Sequence, residues 1–152
     1  MSTPVSLVSV TVDRIDDLVA MMVDFNAYEH ITWTREHGEA ALRRLLSDAS
    51  LGAIRFIVEG DVAVGYFVVT YGYDLEWNGR DAFLTELYLV ESARGHGVGA
   101  QAIALVEAFA KEQGALALHL MVRNDNAVAQ RLYQRAGFVS PPRTFLSKVL
   151  PR

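Results

Sequence analysis

The chain has 152 residues, 51% of them hydrophobic and 21% charged, which describes one globular domain with a real core and excludes a disordered segment. A net charge of −4 with no Lys/Arg-rich block argues against nucleic acid as a partner. The absence of cysteine excludes disulfides, thiolate metal sites and a cysteine nucleophile. The first residues lack the basic and apolar regions of a signal peptide, and no apolar run approaches the ~20 residues of a membrane span, so the expectation is a soluble, cytoplasmic protein with no membrane partner.

In chain order, Val5–Thr11 alternates like a strand. Asp13 is placed to cap a helix with Asp16 in its first turn, and Ile15, Leu18, Met22 and Phe25 recur at helical spacing. Arg35–Ser47 fits a second helix, capped by Thr34, with Leu42, Leu45 and Leu46 as its buried stripe. Ile54–Glu59 and Val62–Tyr71 are β-rich runs joined by Glu59-Gly60-Asp61, and Asn78-Gly79 marks a second hairpin leading into Ala82–Val90. A helix then runs to Gln113 and stops at Gly114, and Ala115–Val122 reads as a strand. Asn124 or Asp125 opens a helix through Arg135, closed by Gly137. Phe138-Val139 and, after the Pro141-Pro142 break, Thr144–Leu150 supply final strand segments. The order β-α-α-β-β-β-α-β-α-β predicts a mixed α/β single domain over residues 1–152.

The most informative stretch is Leu87-Tyr-Leu-Val-Glu-Ser-Ala-Arg94-Gly95-His96-Gly97-Val98-Gly99. Glycines without Cβ let an anion approach backbone N–H groups at a helix start, where donors are unpaired and the dipole is positive. Such a turn suits phosphate or pyrophosphate, and Arg94 adds a planar, charged donor fork. Gly95-His96-Gly97-Val98-Gly99-Ala100 also satisfies a dinucleotide pattern. That reading needs an acidic residue about 20 residues on, and the following strand ends in Arg123-Asn124 instead. A tight turn without a ligand is the remaining alternative.

Arg94-x-x-Gly97-x-Gly99 resembles the coenzyme A pyrophosphate loop of the GNAT superfamily of N-acetyltransferases, and the likeness runs from about Asp13 to Phe138. It implies a central, mostly antiparallel sheet splayed between two strands, with acetyl-CoA entering the gap. It implies cofactor contacts from Leu87, Tyr88, Leu89, Arg94, Gly95, His96, Gly97, Val98 and Gly99. The segment Asn126-Ala-Val-Ala-Gln-Arg-Leu-Tyr133 is similar to the family's second signature. The likeness makes Asn126 a pantetheine contact and Tyr133 the acid facing the sulfur. A phenol with an ordinary pKa near ~10 is protonated at neutral pH and can donate to a thiolate.

Glu86 lies on an apolar strand, where a carboxylate is costly unless paired or used. It is the candidate base or amine-orienting group, with water as the alternative base. The acidic pair that the polyamine-acetylating branch often carries on this strand is here Thr85-Glu86. Tyr28, Glu29 and Trp33, with Tyr71 and Asp74, are the candidate acceptor-binding residues, since aromatic and acidic side chains suit a cation. Their placement resembles the polyamine, diamine and histone-type branch. Glu29, His30 and His37 match no metal-ligand spacing, and no metal is expected.

The sequence therefore points to acetyl transfer from acetyl-CoA directly to a primary amine, a small amine, a polyamine or a lysine-like acceptor, without a covalent acyl-enzyme. A noncatalytic acyl-CoA-binding module is the alternative. A homodimer is implied by the resemblance, with Thr144–Leu150 as the candidate contact strand.

Overall fold

The protein is built on one five-stranded sheet in the order β1-β2-β3-β4-β5, seen in a computed structural model that describes residues 3–152. The elements are β1 (Val5–Ser9), α1 (Ile15–Tyr28), α2 (Arg35–Ser47), β2 (Gly52–Glu59), β3 (Val62–Asp74), β4 (Gly79–Leu89), α3 (Val98–Glu112), β5 (Leu118–Leu120) and α4 (Ala127–Arg135). The first four strands pair antiparallel, and β5 joins β4 in parallel. This is the mixed α/β arrangement that the element order predicts, with the mostly antiparallel sheet that the resemblance implies.

Alternation along the strands builds a core on each face. Ile15, Leu18, Met22 and Phe25 of α1 and Leu42 of α2 pack on Ile54, Phe56, Tyr66, Val68 and Tyr88. On the other face, Val98, Ala102, Ile103 and Val106 of α3 meet Ile57, Phe67, Val69 and Leu84. Each fully buried valine, isoleucine or phenylalanine contributes about 1.5–3 kcal/mol relative to exposure, so the two layers hold the sheet rigid beneath the loops.

Two features of β4 shape the site. Val68 faces Glu86 while Val69 faces Leu84, which leaves Thr85 unmatched as a bulge. The bulge shifts the alternation by one residue. Leu84, Leu87 and Leu89 therefore all pack toward α3, and Tyr88 packs toward α1. The second feature is a split. β5 pairs only with Ala82–Leu84, and after Leu120 the chain departs toward α4, so β4 runs on to Leu89 without a strand on that side.

Several expectations need correction. Thr144–Leu150 and Phe138-Val139 form no strand; Val139, Phe145, Leu146, Val149 and Leu150 lie exposed. Alternating residues make a strand only where an edge accepts them, and here this segment pairs with none. The strand expected over 115–122 is three residues long, extended by the bonds Leu116 N to Arg80 O (2.8 Å) and Ala82 N to Ala117 O (2.9 Å). Asp13 does not cap α1, because residues 12–14 form a 3-10 turn and Arg14 takes the cap position without a side-chain bond. The cap of α4 is Asn126, not Asn124 or Asp125. No helix among the described residues is long and apolar enough to cross a membrane.

Candidate active site

Beyond Leu89 the chain makes a 3-10 turn, Glu91–Ala93, anchored by buried Ala93. Arg94 is extended, and Gly95 (φ 85°) and Gly97 (φ 88°) are left-handed. A Cβ at either glycine would meet no atom within 4 Å. Backbone conformation alone therefore demands glycine here, and the space in front of the amides stays open. Gly97 is the cap of α3, and the Gln101 amide bonds back to Gly97 O (3.2 Å). The amides ahead of it are the unpaired donors of a helix start. Gly99 serves packing instead: a Cβ there would sit 3.4 Å from Leu132 of α4.

Arg94 folds back over the split. Its Nε donates to Leu89 O at 2.9 Å, and its guanidinium lies 5.6 Å from the ring centroids of both Tyr28 and Tyr88. His96 turns toward the Arg94 carbonyl (3.2 Å), with Nε2 3.9 Å from Glu59.

At the lip of the split, Tyr66 Oη donates to Glu86 Oε1 at 2.7 Å. Burial pushes the Glu86 carboxyl above the ordinary carboxylate range, and the Tyr66 hydrogen bond partly offsets this. Tyr66 itself is raised, by burial first and then by the Glu86 charge. The rings of Phe25, Tyr66 and Tyr88 stack in sequence (6.2 and 6.0 Å), and Tyr88 Oη reaches Asp24 Oδ2 at 3.5 Å. Burial also raises the Tyr88 phenol. A base near this position meets an apolar, aromatic wall that favours a neutral carboxyl or an ammonium partner.

The opposite wall is α4. Asn126 Oδ1 accepts from Ala129 N (3.1 Å), so its carbonyl oxygen is committed to the cap. Tyr133 packs edge-on to Phe138 (5.9 Å). Its phenol is pushed up to about 12, by burial first and then by the negative charge of Glu29. Glu29, 104 positions from Tyr133 in sequence, thus stands on the same cleft.

The structure gathers Tyr28, Glu29, Tyr88, Arg94 and Tyr133 around the split. Trp33 and Tyr71 are not gathered. Trp33 packs beneath α2, where a Cβ on Gly38 would strike its Nε1 at 2.3 Å. Tyr71 lies on the α3 face under Arg80 (4.6 Å), the opposite side from Glu86. Asp74 is the exposed last residue of β3, and its Oδ1 accepts from Glu76 N (2.9 Å).

Two further residues close the cleft. Arg123 donates to the Tyr28 carbonyl and stacks on the Tyr28 ring (5.1 Å), and Gln130 Nε2 donates to Arg123 O (3.0 Å) and Asn124 O (2.9 Å). No three His, Cys, Asp or Glu side chains among the described residues could hold a metal ion.

Residues 18–138 match the family described as Acetyltransferase (GNAT) family. The thialysine N-epsilon-acetyltransferase of Bos taurus is 33% identical over 79 residues, covering 52% of this chain and 46% of that protein. An uncharacterized N-acetyltransferase of Mycobacterium bovis is 39% identical over 83 residues, covering 54% of this chain and 50% of its own. This chain thus spans about half the length of the curated relatives it matches. Among solved structures, an integron cassette protein from the Cole Harbour Salt Marsh metagenome superposes with a TM-score of 0.83 at 28% identity, covering 96% and 91% of the two chains. The aminoglycoside N-acetyltransferase AAC(6')-Iy, in complex with CoA, shares the fold at a TM-score of 0.80 and 16% identity, covering 98% and 97%. With its split sheet and glycine-rich helix start, the chain belongs to the Acetyltransferase (GNAT) family.

Proposed function

We propose that this protein transfers the acetyl group of acetyl-CoA directly to a primary amine, a small amine, polyamine or lysine-like acceptor, within a ternary complex. The observation that carries the reading is Glu86: a half-buried carboxylate with a tyrosine donor, on the strand that leads straight into the glycine loop. The thialysine enzyme named above acts, by its name, on a lysine-like amine, which suits that carboxylate.

The residues divide the work. The amides of Gly95–Gly99 and the Arg94 guanidinium hold the pyrophosphate, once Arg94 leaves Leu89 O. The unpaired edge of β4 at Leu87–Leu89 orients the pantetheine arm and polarises the thioester carbonyl. Bound there, acetyl-CoA supplies an activated acyl carbon. An alkylammonium, with a pKa near ~10.4, must lose a proton before its nitrogen can attack. Glu86, or a water it holds, takes that proton. As the new C–N bond forms and the C–S bond breaks, Tyr133 Oη gives its proton to the sulfur, and the proton shed by the acetylated nitrogen restores the phenol. Its raised pKa keeps the phenol in the acid form throughout the working range.

We extend the proposal to a homodimer. β5 is a three-residue edge strand, and beyond α4 Phe145, Leu146, Val149 and Leu150 are exposed, surfaces of the kind that partners cover.

Mass spectrometry of amine mixtures incubated with protein and acetyl-CoA tests the activity. Acetylated amine, with the protein itself unmodified, supports it; unchanged amines at saturating acetyl-CoA contradict it.

A further inference from the structure

Glu86 stands opposite Val68, and Asp81 stands opposite Gly72. Those β3 partners are four residues apart with no bulge on β3 between them, so Asp81 and Glu86 face the same side of the sheet, about 13 Å apart. Gly72 makes room for this arrangement: a Cβ there would lie 2.6 Å from Asp81 Oδ1. His119 Nε2, from β5, lies 3.0 Å from Asp81 Oδ2. This fixes the carboxylate and leaves Oδ1 without a side-chain donor.

Aromatic rings stand on this face of the sheet. Phe83, opposite Thr70, stands between Asp81 and Glu86 and is half-buried. His119 lies 6.2 Å from Phe83 and 5.9 Å from Trp77. His119 and Trp77 also line a cleft of about 670 Å³ at the edge of β5, which Asp74, Glu76 and Glu107 share. Its one arginine, Arg143, is paired with Glu76 at 3.0 Å. A cation is the group this end favours, through charge and through the ring faces.

We propose that Asp81, oriented by His119, anchors a second cationic group of the acceptor, up to about 13 Å from the nitrogen that is acetylated. The inference rests on the acetyl-transfer reading and names its preferred acceptors: amines carrying a distal ammonium. Asp81 is then a specificity-determining residue, and His119 a positioning one.

The test is steady-state acetylation of α,ω-diamines graded in length against n-alkyl monoamines of equal length. The wild-type protein should favour diamines of matching length by roughly tenfold or more in kcat/KM. Asp81→Asn should erase that preference by raising diamine KM, with kcat and monoamine KM within about twofold. His119→Gln should lose part of it. Coenzyme A affinity, unchanged in both variants, verifies the fold. Equal use of diamines and monoamines by the wild type, or an equal rise of both KM values in Asp81→Asn, overturns the inference while leaving acetyl transfer standing. Failure to acetylate any amine overturns the parent reading instead. In that event calorimetry of diamines with the coenzyme A-bound protein still reads the anchor, and binding that Asp81→Asn does not weaken overturns it.

Discussion

Tyr66 and Glu86 are diagonal neighbours on β3 and β4, and the phenol donates to the carboxylate at 2.7 Å. Burial raises the Glu86 pKa and this bond lowers it. On the proposal that Glu86 is the base, it works only when ionised, and its titration sets the acid limb of the pH–rate profile. Tyr66→Phe removes the lowering influence, and the acid limb should move to higher pH. The half-buried carboxyl also loses its donor, at a cost of about 1 kcal/mol in stability. A kcat/KM profile and a denaturation curve check both; an acid limb that stays in place removes Glu86 from the role of base.

Tyr133→Phe keeps the ring against Phe138 and deletes the proton donor. Turnover should fall by about 10²–10⁴-fold, the usual worth of a positioned acid, while coenzyme A affinity changes little. Calorimetry and single-turnover rates separate the two effects. Unchanged turnover would show that the sulfur leaves without Tyr133.

Gly97 holds φ 88° at the cap of α3. Gly97→Ala meets no steric neighbour within 4 Å, yet the backbone conformation costs roughly 1–2 kcal/mol. Its methyl also stands where an anion must approach. Coenzyme A affinity should drop by an order of magnitude or more, with a lowered Tm. On the proposal that the loop holds the pyrophosphate, dephospho-forms of the ligand should suffer equally.

Asn126 carries two roles that substitution can separate. Asn126→Ser retains a good cap, and Asn126→Ala forfeits about 1 kcal/mol of it. If the free amide nitrogen contacts the pantetheine arm, the KM for acetyl-CoA rises in both variants, and only the alanine variant loses stability. Thermal melts and initial rates on the pair read this directly.

The glycine loop was legible because glycine is the residue that left-handed backbone demands, and Gly95 and Gly97 both adopt it. The stops at Gly114 and Gly137 were legible for the same reason. Tyr66 was not, because its bond to Glu86 depends on strand register and on the Thr85 bulge, neither of which local pattern encodes. Arg123 escaped notice similarly: it reaches Tyr28 across 95 residues. Tyr71 and Trp33 were assigned to the acceptor site by composition, whereas strand alternation and the bare Gly38 place them elsewhere. The unpaired Thr144–Leu150 segment shows that alternation without an accepting edge does not make a strand. On the dimer proposal, removal of residues 144–152 should yield a monomer by sedimentation; a full-length protein that is already monomeric contradicts it.

The most direct measurement is the initial rate of thiol release from acetyl-CoA with polyamines, amino acids, aminoglycosides and a lysine peptide as acceptors. The protein has no cysteine, so every thiol detected comes from the cofactor. The account predicts release that depends on the amine, with intersecting double-reciprocal lines for the two substrates. Coenzyme A binding without amine-dependent release across the panel would contradict it and leave an acyl-CoA-binding module in its place.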